Sequence, residues 1–379
     1  MERCLVCTIG LTRTRSAGAA TTRAPRRTGS QPAHGAAAYA SWMTGPVPHD
    51  RVALLVNGSS RRGADAYGRT LRGLRSAGLA VMRSVLLEDP AQLPAEVAAA
   101  VGATCRLLVV GGGDGTVGAV AGLLADLPPE VRPVLGVVPL GTANDFARTL
   151  DLQPGVVAAL TALATGKVVD VDLGRANGAP FLNVASLGLS VGATHALHPG
   201  LKRRLGPIAY PVATLQAYRR HEPFDIRLEF PDGDREPLEL TGLLQVAVGN
   251  GRHYGGGNTV APDAGIDDAS LDVYAVRAGR IREHLSLARL LRSGNLVHHD
   301  HVQHVVTPAV RLTSDRPLPV NLDGEISAAS PVEFRVQRNA VEVVVPQHIT
   351  HLSHEGPPTP AEPATPDRGA EPVEVPGQT

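Results

Sequence analysis

The stretch LLVVGGGDGTVGAVAGLL, residues 107–124, constrains this chain more than any other. A short apolar run, a burst of glycines and a helix-like pattern in succession describe a buried strand, a tight turn and a helix. A run of turn-permissive residues directly after a buried strand is costly unless a ligand or another backbone approaches closely. Gly113, Gly115 and Gly118 satisfy G-x-G-x-x-G, the spacing of a dinucleotide-binding turn. Yet the position where an acid should hold the ribose falls in VRPVLGVVPLG, which carries no carboxylate. No G-x-x-x-x-G-K-[ST] loop occurs anywhere either. An aspartate, Asp114, sits instead among the glycines. Beside phosphates that carboxylate is repulsive unless a divalent cation lies between, so the turn is expected to take a nucleoside triphosphate with its metal.

The surroundings fit such a site. From residue 51 to about 165, apolar strand-like runs alternate with helix-like segments, the pattern of a parallel sheet flanked by helices. From about 168 the strands shorten and follow one another, an all-β pattern with one helical insertion near 203–220. The fold class expected is therefore α/β plus all-β: an N-terminal α/β nucleotide-binding domain with a parallel sheet, and a β-sandwich-like C-terminal domain. Two further polar turns follow strand-like runs. LLVNGSSRRG offers Asn57 and Ser59, and VVPLGTANDFART offers Gly141, Thr142, Asn144 and Asp145. Turns at the carboxyl ends of neighbouring parallel strands converge on one crevice.

Composition narrows the function. Lys+Arg and Asp+Glu balance at 36 each, which argues against a duplex nucleic-acid binder held by a positive field. Gly, Pro or charge interrupts every apolar stretch before the ~20 residues a membrane span requires. Three cysteines, Cys4, Cys7 and Cys105, make no disulfide framework, and the natural compartment is reducing and cytoplasmic. Residues 1–48 are expected to be a disordered leader or the product of an upstream start; an Arg-rich, acid-poor transit peptide is the competing reading. The domains expected are 49–167 (α/β), 168–325 (β), terminal strands 326–346, and a disordered Pro/Glu-rich tail 347–379.

At VVGGGDGTVGAV and VPLGTANDFART the sequence resembles the catalytic domain shared by diacylglycerol, sphingosine, ceramide and bacterial lipid kinases. The likeness continues through DVDLGRANGAPFLNVASLGLSV, VAVGNGRHYGGG, APDAGIDDASLDV and LPVNLDGE, over about residues 51–346, and is strongest to the bacterial branch. It implies a two-domain protein with the active site in the cleft between the domains and terminal strands 326–346 that return to the first domain, and it puts ATP phosphates on Gly111, Gly112, Gly113, Asp114, Gly115 and Thr116, with Thr142 also touching nucleotide. Asn57, Asn144 and Asp145 line the same edge. Asp114 would act through catalytic Mg²⁺, and Glu325 matches the proton acceptor, with Asp323 beside it. PDAGIDDASLDV resembles a structural Mg²⁺ loop, with Asp268 and the carbonyls of Gly265 and Ser270 as ligands. Three departures stand out: Asn57-Gly58 for Asn-Pro, Gly118-Ala119 for Asn-Glu, and Ala269 for a glycine.

The resemblance implies an ATP-dependent kinase of a membrane-lipid hydroxyl such as that of diacylglycerol. An NAD kinase or another small-molecule kinase of the same superfamily is the alternative, and a non-catalytic nucleotide or lipid sensor the second. The expected partner is lipid at the inner membrane face. Peripheral contact would run through Lys202, Arg203 and Arg204 ahead of an apolar helix that ends in Arg219 and Arg220. A homodimer is left open. His298, His299, His301 and His304 in HHDHVQH are expected to form a strand edge rather than a metal site.

Overall fold

The computed structural model describes residues 47–59, 63–189, 191–192, 218–233, 235–251, 253–254, 258–259, 265–279 and 299–352. The basic residues Lys202, Arg203 and Arg204, His298, and most of the leader and tail lie outside them.

The N-terminal half alternates strands and helices: β1 (Val52–Asn57), α1 (Gly63–Ser76), β2 (Val81–Leu87), α2 (Leu93–Gly102), β3 (Leu107–Gly112), α3 (Asp114–Ala125), β4 (Val134–Pro139), α4 (Asp145–Thr149) and α5 (Val156–Thr165). Strands β4, β3, β1 and β2 lie side by side and parallel. Their apolar residues are continuous because both faces are covered. Ala53, Leu55, Leu108, Val110, Leu135 and Val137 pack on one side with α2 and α3; Val52, Leu54, Leu107, Val109 and Val134 pack on the other with α1 and α5.

The remaining strands are mostly antiparallel: β5 (Lys167–Ala176), β6 (Ala179–Phe181), β7 (Val184–Gly188), β8 (Phe224–Glu229), β9 (Leu238–Gly249), β10 (His253–Tyr254), β11 (Asn258–Thr259), β12 (Leu271–Arg277), β13 (Val302–Thr307), β14 (Ala309–Ser314), β15 (Pro319–Leu322), β16 (Glu325–Ala329) and β17 (Val332–Val345). They enclose a separate core in which Phe181, Phe224, Leu243, Val273, Leu312 and Phe334 are buried. The architecture is a parallel sheet with helices followed by a β-sandwich-like half.

Strand β17 belongs to both. Phe334–Gln337 pairs with β5 over the second core, the register shifts between Gln337 and Val341, and Val341–Val345 pairs with β5 again over the first. Its end then runs parallel to β4 through Val343 and Leu135. Beside this crossing, the C-terminal end of α3 is clamped. Arg132 donates to the carbonyls of Leu127 (2.6 Å) and Ala125 (3.1 Å) and to that of Ala340 on β17 (2.6 Å). Arg175 bonds Asp126 Oδ1 at 2.7 Å and Gln337 Oε1 at 2.8 Å. Cations at a helix C-terminus also complement its dipole, which leaves the other end of α3 electropositive.

The crossing also buries charge. Glu342 faces Asp170 across β17 and β5, with Arg132 nearby, and its Oε1 has no hydrogen-bond partner. Burial pushes its carboxyl from the ordinary 4.5 up to about 7, Asp170 adding to the shift and Arg132 opposing it. The folded state therefore holds a proton that the unfolded chain releases. The stability this contributes is fully present below pH 4.5 and lost as the pH rises to about 7. Glu342→Gln is expected to remove that slope. By pH 8 it should be more stable than the native chain by roughly 2 kcal/mol, with little difference at pH 4.5, as read from urea unfolding across that range.

Candidate active site

The glycine turn sits where the alternation of strands puts it. β3 ends at Gly112, Gly113 is the N-cap of α3 with extended geometry (φ −94°), and no side chain caps that helix end. The first-turn N–H groups of α3 therefore form an anion-binding terminus. The second turn packs directly onto the first. A Cβ on Gly141 would stand 2.6 Å from Gly113 Cα and 2.7 Å from Asn144 Oδ1, so both turns must be bare there. A Cβ on Gly115 would meet nothing within 4 Å, which marks the open side of the turn.

Polar side chains lock the turns together. Asn57 at the end of β1 donates Nδ2 to Thr116 Oγ1 at 2.9 Å, which ties the first turn to α3. Asn144, left-handed at φ 51°, accepts the Gly141 N–H (2.9 Å) and donates to the Gly141 carbonyl (3.0 Å). Its amide thus shapes the turn from within. Asp114 Oδ1 accepts the Phe146 N–H at 3.1 Å, linking the two turns. Burial pushes its carboxyl above the usual range, Asp145 adds to the shift, and the Phe146 bond opposes it. Thr142 and Gly115 are exposed at the mouth; Gly111, Gly112, Thr116, Asn144 and Asp145 are buried behind it.

The β-rich half closes over this edge. Asp323 and Gly324, at φ 49° and 107°, form the two-residue loop between β15 and β16, the backbone that an Asp-Gly pair favours. Asp323 turns inward: its carboxylate accepts the backbone N–H groups of Leu182, Asn183 and Val184, the last two at 2.9 Å. It also reaches α3, since a Cβ on Gly118 would stand 3.6 Å from Asp323 Oδ2. Burial raises its carboxyl, the three N–H groups oppose, and the charge of Asp114 raises it further. Glu325, two residues on, begins β16 and is exposed. The structure therefore gathers Asn57, Asp114, Thr116, Gly141, Asn144 and Asp323 into one cleft and leaves Glu325 on its solvent side.

The second acidic loop forms before β12. Asp268 accepts the N–H groups of Gly265 (2.8 Å) and Ser270 (3.0 Å). Burial raises its carboxyl, and the charges of Asp272 and Asp267 add to the shift. An anionic loop with hard oxygen donors and spare carboxylate lone pairs fits a divalent cation bound by one aspartate and backbone carbonyls. No group of three or more His, Cys, Asp or Glu side chains that could hold a metal occurs among the described residues. His304 instead stacks on Tyr274 and bonds Asp272 Oδ1 at 2.6 Å.

Sequence reasoning missed Asp172, Asn183 and Asn250. Asp172 is 2% exposed on β5, and burial pushes its carboxyl up to about 6 against the N–H groups of Asn339 and Ala269. An acid within an otherwise apolar strand, VVDVDLG, was the available signal.

Comparison with known proteins places these features. Residues 51–176 match the diacylglycerol kinase catalytic domain, and residues 183–345 match the YegS C-terminal NAD kinase beta sandwich-like domain. A Xanthomonas oryzae pv. oryzae protein named "Probable lipid kinase YegS-like" is 35% identical over 279 residues, 72% of this chain and 88% of its own length. A Chromohalobacter salexigens protein of the same name is 37% identical over 65% of this chain and 78% of its own length. The diacylglycerol kinase of Bacillus subtilis is 30% identical over 64% and 78%. A crystal structure of a diacylglycerol kinase from Bacillus anthracis str. Sterne shares the fold, with a TM-score of 0.61 at 22% identity, over 79% of this chain and 98% of that one. Fold and site together define a lipid-kinase-type phosphotransferase. The chain belongs to the diacylglycerol kinase catalytic-domain family, in its bacterial YegS-like branch.

The two glycines make opposite predictions. Gly141→Ala should force the turns apart and lower stability by more than about 2 kcal/mol in urea unfolding. Gly115→Ala, facing open space within the first turn of α3, should leave stability unchanged or raise it by up to ~1 kcal/mol.

Proposed function

We propose that this protein transfers the γ-phosphoryl group of ATP to the hydroxyl of a membrane lipid such as diacylglycerol. The observation that carries this is the meeting of the two bare glycine turns, the uncapped N-terminus of α3 and Asp114 under the Asp323-Gly324 hairpin. The turn of residues 111–116 receives the phosphates, and Thr142 contributes at the mouth. Asn57 ties the turn after β1 to α3, Asn144 shapes the Gly141 turn from within, and Asp114 joins that turn to the first through the Phe146 N–H. A divalent cation, when bound beside Asp114 and Asp145, supplies the charge neutralisation that phosphoryl transfer requires.

Glu325 accepts the proton of the lipid hydroxyl as its oxygen bonds to the γ-phosphorus and the bond to the bridging oxygen breaks. Its exposed position leaves space for a headgroup to arrive from the membrane side, with Lys202, Arg203 and Arg204 as the surface contact. No described helix is long and apolar enough to cross a membrane. Asp268, with the carbonyls of Gly265 and Ser270, would hold a second, structural cation. NAD phosphorylation is the second reading, favoured by the NAD kinase-like description of the C-terminal match.

The test is transfer of labelled γ-phosphate from ATP to a panel of lipids in mixed micelles, with NAD and water as comparison acceptors. Labelled lipid is expected; labelled NADP would move the activity to the second reading. Glu325→Gln should lower kcat by at least about 100-fold with ATP affinity within twofold of the native chain, the pattern for loss of a general base. Unchanged turnover would remove Glu325 from the role.

A further inference from the structure

The turn after β1 ties the glycine turn to an acid two strands away. Asn57 ends β1, which lies between β3 and β2. Its Nδ2 donates to Thr116 Oγ1 at 2.9 Å, and its Oδ1 accepts the Ser59 N–H at 3.0 Å. Ser59 Oγ in turn donates to the Glu88 carbonyl at 3.2 Å, and the Gly58 N–H donates to the Leu87 carbonyl at 2.8 Å. A Cβ on Gly58 would stand 2.9 Å from that last carbonyl, so the turn lies close against the end of β2. Hydrogen bonds therefore fix the backbone of Glu88 relative to the first turn of α3.

Glu88 is the first residue beyond β2, at the carboxyl edge of the parallel sheet, where such sheets take their ligands. It is exposed, and its carboxylate makes no hydrogen bond or ion pair with any described residue. The neighbouring acid is committed elsewhere: Asp89 Oδ1 accepts the Ala91 N–H at 2.9 Å and caps the turn Pro90–Gln92. A nucleotide whose phosphates lie on residues 111–116 has two ways along that edge. On the β4 side the Gly141 turn packs onto Gly113. On the β1 side the edge runs past Asn57 and Ser59 to Glu88. Two strand spacings, about 10 Å, separate β3 from β2, on the order of the reach from a nucleotide's phosphates to its ribose hydroxyls. Counting forward along the chain from the glycines finds no acid for the ribose; the sheet supplies one from a strand earlier in the sequence. We propose that the Glu88 carboxylate accepts the 2′- and 3′-hydroxyls of the ribose and makes the site selective for ribonucleotides. The proposal rests on the reading of turn 111–116 as the phosphate site. Adjacent hydroxyls match the two oxygens of one carboxylate, and an ionised acceptor strengthens both hydrogen bonds. Solvent screens the acid from the phosphates at that separation.

The experiment is calorimetric titration of the full-length protein with ATP, 2′-deoxy-ATP and 3′-deoxy-ATP, each with Mg²⁺ and without lipid. The native chain is expected to bind ATP about tenfold more tightly than either deoxy analogue, as loss of a hydrogen bond to a charged group requires. Glu88→Ala should bind all three within about twofold of one another, and Glu88→Gln, which keeps one acceptor oxygen, should fall between the two. A merely structural role for Glu88 would weaken all three nucleotides equally and leave the preference for ATP in place. That result would overturn the proposal, as would a Glu88→Ala variant that binds and discriminates as the native chain does. Equal binding of the three nucleotides by the native chain would also overturn it, while leaving the ATP reading intact. If the native chain binds none of the three, the reading of the turn as a phosphate site falls, and the inference falls with it.

Discussion

Strand β17 hydrogen-bonds to β5 over both hydrophobic cores and ends beside β4, so a single strand joins the α/β half to the β-rich half. This pairing fixes how the two halves face each other, and the cleft depends on it. The strand cannot follow two differently twisted surfaces without a break, and the register shift between Gln337 and Val341 supplies it. The irregularity leaves backbone donors to be satisfied, and Asp172 takes the one at Asn339. Arg132 and Arg175 anchor the C-terminal end of α3 beside the same crossing. The helix whose N-terminus faces the cleft is thus held at its far end by the element that unites the halves.

Within the cleft, bare backbone and buried charge answer different needs. Gly113 and Gly141 let two turns touch at a distance that side chains forbid, which concentrates N–H groups in a small volume. Asp114 and Asp323 bring negative charge to the same place, and burial raises both carboxyls. Two acids close together in partly dry surroundings are costly without cationic compensation. Asp323 offsets part of that cost by accepting three backbone N–H groups. Asp114 accepts the Phe146 N–H, and backbone N–H groups likewise oppose the rise that burial and Asp145 cause in its carboxyl.

Much of this was legible in the sequence. The alternation of strand and helix patterns announced the parallel sheet, and the change near residue 168 announced the β-rich half. The glycine turn with its aspartate was readable because only a close approach justifies so many permissive residues together. The inward turn of Asp323 was not readable. DGE reads as a solvated hairpin, and which acid points inward depends on the backbone donors at 182–184 that tertiary pairing brings to it. Asn250 and Asp172 were hidden for the same reason. Their partners lie far away in the chain, and no local spacing records them.

Ala269 draws the boundary between the two kinds of information. Its identity is a fact of the sequence, where it stands as an alanine in place of a glycine. Its meaning came from the fold, which gives it a left-handed backbone and sets a buried carboxylate from β5 against its N–H. The sequence by itself determined the order of strands and helices and which polar residues the turns present, because hydrophobic period and glycine placement act locally. Only the tertiary structure decided which carboxylates face inward and what holds the strained turns. Those outcomes depend on contacts between residues separated by more than a hundred positions, such as Asp172 with Asn339 and Asp323 with Leu182.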